Sequence, residues 1–226
     1  MEVTKISTMD LEKLEKHTRR IKREYEGHLM KHDFNSPEAA HWKGREKTWL
    51  RFKILTEIDN LNNRVILDFG CGNGLLLDFL KERNIHCEYY GWDISEKMIE
   101  VARKRHPEAK FRVSNILEDD LSDYNNFFDY IIVSGVFYIK VDAEPEVHEA
   151  WLKAILSKLW ALCKKGIAVN FMTEYVDWKE EDLYYCSIRD IIPFCVNNLS
   201  RWFVVRHDYQ LWEFTMYIYK GPREGL

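Results

Sequence analysis

Residues 65–81 read VILDFGCGNGLLLDFLK. A short apolar run breaks into three glycines within five positions, Gly70, Gly72 and Gly74, and an apolar face then resumes at Leu75. The first segment has the length and composition of a buried strand, and the second the spacing of a helix. Glycine between them permits positive φ and lets another molecule approach the backbone with no Cβ in the way. The helix that follows begins with N–H groups and a partial positive charge, which suit a carboxylate or phosphate. A plain tight turn is the alternative. The surrounding chain favours the ligand site, because it repeats the strand–helix pattern.

Downstream, HCEYYGWD, AKFRVS, FDYIIVSG and GIAVNFM read as strands, separated by SEKMIEVARKRH, the acidic loop LEDDLSDYNN, and EPEVHEAWLKAILSKLWALCKK. Strands separated by long helical segments imply parallel βαβ units. The end differs: after the helical SIRDIIPFCVNNL, RWFVVRHDY and EFTMYIYK are joined by only a few residues, which requires an antiparallel pair. Upstream, residues 9–33 place Leu11, Leu14, Ile21, Tyr25 and Leu29 near helical spacing, and Ser36-Pro37 opens a second helix, 36–61. The expectation is an α/β protein with a Rossmann-like, seven-stranded, mostly parallel sheet, an antiparallel strand near its end and helices on both faces. Residues 1–226 are expected to form one domain, with 1–62 a helical cap or lid and 63–220 the core.

Composition narrows the class. The chain has 226 residues, 46% apolar and 31% charged, with a net charge of −4. That balance leaves no electrostatic footprint for nucleic acid. The basic stretch KHTRRIKR (16–23) is offset by acidic neighbours and reads as a solvated helix face. No run approaches the length of a membrane span, and the N-terminus has no apolar core like that of a signal peptide. The five cysteines form no CxxC pair, which argues against a zinc site or disulfide framework and suits the cytoplasm. Oligomeric state is not legible.

The dinucleotide fingerprint GxGxxG needs its third glycine five positions after the first; here that position is Leu75 and the third glycine is Gly74. Asp68 lies two residues before the first glycine. Asp93 closes the second strand, 19 residues after Gly74, a distance suited to ribose hydroxyls. Its alternative role is a helix cap, for which Ser95 competes. In order, DFGCGNG, GWDIS, FRVSNIL and FDYIIVSGVF resemble the motifs of class I S-adenosylmethionine-dependent methyltransferases over about 65–140. AHWKGREKTWLRF, FMTEY and HDYQLWEF are similar, more loosely, to a bacterial branch acting on small molecules.

The resemblance implies that Asp68 and the backbone of Gly70, Cys71, Gly72 and Gly74 hold the methionine end of S-adenosylmethionine, the product being S-adenosylhomocysteine. It implies that Asp93 binds the ribose, Ile94 packs on the adenine, and Asn115 and Ile116 read the adenine edge. Many relatives carry Asp where Asn115 stands; the Asn carbonyl can still accept from the adenine amino group. Ser134 and Gly135 would contact the methionine amine. Arg51 would pair with the cofactor carboxylate from the cap, and Trp42 would close the pocket.

Methyl transfer from a sulfonium needs proximity and exclusion of water more than a fixed catalytic group. Base candidates for a hydroxyl acceptor are His207, His32, His28, Glu174 and Tyr175. His28 and His32 share a helix face, but no third ligand accompanies them, so no metal is expected. SGVF follows the fourth strand where enzymes acting on exocyclic base nitrogens carry a DPPY-type motif, and no Pro-Cys pair offers a nucleophile. The expected partner is therefore a small-molecule acceptor, not nucleic acid or membrane, with a protein or RNA methyltransferase and a non-catalytic cofactor-binding partner subunit as the alternatives; Tyr175, Trp178, Tyr184 and Tyr185 suit a partly apolar pocket.

Overall fold

The computed structural model describes residues 8–31 and 44–223. Seven strands form one sheet: β1 (Val65–Phe69), β2 (Glu88–Asp93), β3 (Lys110–Val113), β4 (Phe128–Val133), β5 (Cys163–Met172), β6 (Trp202–Arg206) and β7 (Glu213–Tyr219). Their order is β3-β2-β1-β4-β5-β7-β6. All neighbouring pairs from β3 to β5 are parallel, and β7 runs antiparallel between β5 and β6. The expected Rossmann-like α/β sheet with its antiparallel strand near the end is thus observed. Strand order reverses between β1 and β4, so the switch point, where open α/β sheets bind ligands, lies beyond their carboxyl ends.

The helices are α1 (Thr8–Leu29), α2 (Arg45–Thr56), α3 (Leu75–Glu82), α4 (Glu96–Arg105), α5 (Pro145–Leu162) and α6 (Ile188–Asn198). They cover both faces of the sheet. Leu67, Ile131, Val133, Ile167 and Val169 pack with α1, α5 and α6. Their strand neighbours Ile66, Tyr130, Ile132 and Ala168 pack with α2, α3 and α4. A strand buried on both faces has no polar alternation, which is why VILDF and FDYIIV read as continuous apolar runs.

Some boundaries differ from the sequence reading. The first helix ends at Leu29 and the second at Thr56, each several residues early. Within the described residues α2 starts after Gly44, whose φ of 85° suits only glycine well; the Ser36-Pro37 start lies outside them. The long fifth helix stops at Leu162, and Cys163–Lys165, expected to be helical, open β5 instead. Sheet pairing decides this, with Cys163 opposite Phe128 on β4.

α1 touches both layers. Leu14, Ile21 and Thr18 meet α5, where Trp151 Nε1 donates to Thr18 Oγ1 at 2.9 Å. One turn on, Ser95 at the start of α4 donates to Glu26 at 3.0 Å, and Leu29 packs on Met98. The helix therefore crosses the sheet's carboxyl edge from one face to the other.

Candidate active site

A cavity of about 800 Å3 opens at that edge, beneath α1 and α2. At its centre is the β1–α3 turn. Gly70, Gly72 and Gly74 all have positive φ (74°, 52° and 83°). A Cβ on Gly70 would lie 2.3 Å from Val136 Cγ2, so this glycine is required twice, for φ and for the close passage of the β4 loop. The turn spends its N–H groups internally. Gly70 and Cys71 donate to the Trp92 carbonyl, Gly72 to Asp93 Oδ2 at 2.9 Å, and Gly74 to the Cys71 carbonyl. What the glycines offer a ligand is the absence of side chains, not those four donors.

Two carboxylates flank the turn. Asp68 is buried and accepts from Tyr89 Oη at 2.6 Å. Burial raises its pKa to about 7, against the lowering effect of the Tyr89 hydrogen bond. Asp93 is half-buried and holds Gly72 N–H with one oxygen and Ser95 N–H with the other. Burial raises its pKa too, with the backbone donors opposing. Ser95, not Asp93, caps α4, its hydroxyl accepting from Met98 N–H. A carboxylate has about four acceptor positions, so two bonds leave Asp93 capacity for hydroxyl donors.

Ile94, Asn115, Ile116, Ser134 and Gly135 also line the cavity, as do Cys71 and Arg51. Asn115 accepts from Leu117 N–H at 3.2 Å, which fixes its carbonyl in the loop after β3. Ser134 is 9% exposed, and its hydroxyl has no hydrogen-bond partner among the described residues. An orphan buried hydroxyl, a side-chain-free turn and two carboxylates together fit a ligand carrying hydroxyl and ammonium donors. S-adenosylmethionine is such a ligand. It carries ribose hydroxyls, an ammonium and a cationic sulfur.

Two of the catalytic candidates stand off the cavity lining. Tyr175 is 52% exposed and does not line the cavity; nor does His207, whose ring lies 6.2 Å from that of Tyr175. β7 intervenes between β5 and β6, so His207, the residue next after β6, lies one strand beyond Glu213, which opens β7 on the cavity wall. Asp208 pairs with Arg206 instead. His32 and Trp42 lie outside the described residues. No group of three potential metal ligands occurs among the described residues.

Other lining residues were not singled out from sequence. Tyr25 on α1 donates to the Gly135 carbonyl at 3.3 Å. Glu213, fully buried, accepts from Arg51 Nε at 2.7 Å, from Tyr138 Oη at 2.7 Å and from Asn170 Nδ2 at 3.3 Å. Asn170 Oδ1 in turn accepts from Gly135 N–H at 2.7 Å. Glu213 reaches this edge because β7 is antiparallel: its first residue stands level with Met172, the last of β5. A lone Glu before an apolar strand carries no sequence signal; the pairing of β7 would have been needed to find it. Trp212, 60% exposed, also lines the cavity, as does Trp178, 67% exposed, which the sequence reading had placed among the pocket aromatics.

Residues 66–166 match the methyltransferase domain family. A Mycobacterium tuberculosis protein named as a methyltransferase is 31% identical over 161 residues, covering 69% of this chain and 93% of its own length. A Thermotoga maritima demethylmenaquinone methyltransferase is 33% identical over 94 residues, 42% of this chain and 40% of that protein. Among solved structures, the magnesium protoporphyrin IX methyltransferase of Synechocystis PCC 6803 with bound S-adenosylmethionine superposes with a TM-score of 0.60. It shares 17% identity and covers 96% of this chain and 100% of its own. With the motifs at the switch point and the Mycobacterium tuberculosis relative matched over 93% of its length, the chain belongs to the class I S-adenosylmethionine-dependent methyltransferases.

Proposed function

We propose that the chain methylates a small-molecule acceptor, in a site formed between the sheet edge and the N-terminal cap. S-adenosylmethionine, when bound, supplies a methyl group on a cationic sulfur for in-line displacement, with S-adenosylhomocysteine as product. The observation that carries the proposal is the form of the cavity: about 800 Å3, roofed by α1 and α2, with Tyr138, Met172, Leu183 and Trp212 on its far wall. A roofed, partly apolar chamber suits a compact acceptor. Asp93 would hold the ribose, Ile94, Asn115 and Ile116 the adenine, and Ser134 the methionine ammonium. Arg51 would hold the methionine carboxylate. Positioning two reactants in such a chamber supplies roughly 7–11 kcal/mol of barrier lowering. Within 1–62, the described residues 8–31 and 44–62 act as a cap on one domain rather than as a domain of their own.

Turnover tests the acceptor class. S-adenosylhomocysteine formation should rise with fractionated pools of small metabolites and stay at background with ribosomal RNA or bulk protein. Turnover on RNA or protein alone would reject the small-molecule assignment and leave the family intact.

A further inference from the structure

We infer that Glu213 is a positioning residue that aims Arg51 at the amino-acid end of the cofactor. The inference rests on the placement of Arg51 proposed above. Glu213 has a side chain only 1% exposed, yet it lines the cavity. Its two oxygens take donors from three separate parts of the fold: Arg51 on α2, Tyr138 after β4 and Asn170 on β5. A carboxylate that holds three donors is a good anchor. A buried ion pair is also a weak stability device, since well-packed apolar residues often replace one at no cost. Its place on the cavity wall points to a role in binding.

Strand order gives the direction. From β4 at the switch point, Asp93 lies two strands away on β2 and Glu213 two strands away on β7. A ligand with its ribose at Asp93 extends its other end across β1 and β4 toward Arg51. Arg51 approaches from α2 on a long side chain, and the bond from its Nε to Glu213 sets the plane of the guanidinium. That plane determines whether a carboxylate meets the fork of the guanidinium or its edge.

Glutamine fills this role poorly. With its carbonyl on Arg51 and Tyr138 its NH2 faces that of Asn170, and the guanidinium loses its charged partner; turned the other way, its NH2 faces both other donors. Asn170 cannot compensate by turning, because its carbonyl oxygen is held by Gly135 N–H.

Calorimetric titration with S-adenosylhomocysteine and with 5′-methylthioadenosine, which has the same nucleoside and thioether but no amino-acid group, tests the inference. Glu213→Gln should weaken S-adenosylhomocysteine binding at least tenfold and leave 5′-methylthioadenosine within threefold. The double variant Arg51→Met with Glu213→Leu removes the pair as a unit. It should show the same selective loss at a lowered Tm, because Tyr138 and Asn170 lose their acceptor, and it decides the matter if Glu213→Gln does not fold. A folded double variant that binds S-adenosylhomocysteine within threefold of the unaltered chain overturns the inference, as does a parallel loss of both ligands. If the unaltered chain itself binds the two ligands alike, the placement of Arg51 at the amino-acid end falls, and the inference with it.

Discussion

Asp93 does three jobs with one carboxylate, two seen and one proposed. It pins Gly72 and Ser95 by their N–H groups, and it is left to meet the ribose. Asp93→Ala should therefore cost both binding and stability. Each charge-assisted bond to the ribose is worth roughly 1.5–3 kcal/mol, so affinity for S-adenosylhomocysteine should fall by at least about tenfold. Calorimetry checks this; a folded variant with unchanged affinity would remove the ribose assignment. Asp68 makes a second, pH-dependent prediction. Its pKa near 7 means that the unliganded fold holds the proton more tightly than the unfolded chain does, where the ordinary value is 3.8. As pH rises from about 3.8 to about 7, the unfolded chain ionises first and Asp68 costs stability. A cationic ligand beside it favours the ionised form, so binding releases a proton. Affinity for S-adenosylmethionine should rise with pH up to about 7 and then level, changing by up to about tenfold per pH unit below that point. Titrations at pH 6, 7 and 8 measure the slope, and Asp68→Asn should flatten it.

Among the elements, α1 carries the most testable physics. It is joined to α5 by a buried pair, His17 Nε2 to His148 Nδ1 at 2.9 Å. His148 Nε2 meets the Phe137 carbonyl at 3.1 Å and so carries a hydrogen. Its Nδ1 is then the acceptor, and His17 Nε2 the donor. Burial lowers both pKa values from 6.5, His17 to about 4 and His148 to about 3. Arg20 and Lys140 reinforce the shift, and Asp142 opposes it. Below about pH 6.5 the unfolded chain takes up protons that the folded pair refuses. Stability should therefore fall as pH drops from about 6.5 toward 4 and be insensitive to the pair above that range. Thermal unfolding across pH 4–8 shows the slope. His17→Gln keeps a donor to His148 without titrating, and it should make the slope shallower. Because Thr18, Ile21 and Tyr25 line the cavity, the same helix is the proposed lid. Hydrogen exchange over α1 should slow when S-adenosylhomocysteine binds; equal protection with and without it would reject the lid.

At the scale of the whole molecule, stability and function sit in different layers. Phe171 on β5 is 1% exposed and packs on Phe137 at 5.9 Å and Phe214 at 5.3 Å, tying the β4 loop to β5 and β7. Phe171→Ala should cost about 3–5 kcal/mol of stability, read as a large fall in Tm. Trp178 stands at the cavity mouth, largely exposed. Trp178→Ala should change stability by no more than about 0.5 kcal/mol, and its effect, if the mouth admits the acceptor, should appear in KM.

The sequence by itself determined the parts of this protein that local chemistry governs. The glycines of the β1–α3 turn, Asp68 beside them, Asp93 at a strand end and the alternation of strands with helices are each fixed by neighbours close in the chain. The family and its cofactor follow from those motifs. Tertiary structure alone decided what depends on strand order. Inserting β7 between β5 and β6 moved His207 off the cavity wall and brought Glu213 onto it. It also let Arg51, Tyr138 and Asn170 meet on one carboxylate, although Arg51 and Glu213 are 162 positions apart. The helical reading of Cys163–Lys165 failed for the same reason, since a partner strand outweighs local helix propensity. Pairing between distant segments leaves no periodic trace in the chain, because the free energy that selects it comes from the assembled sheet.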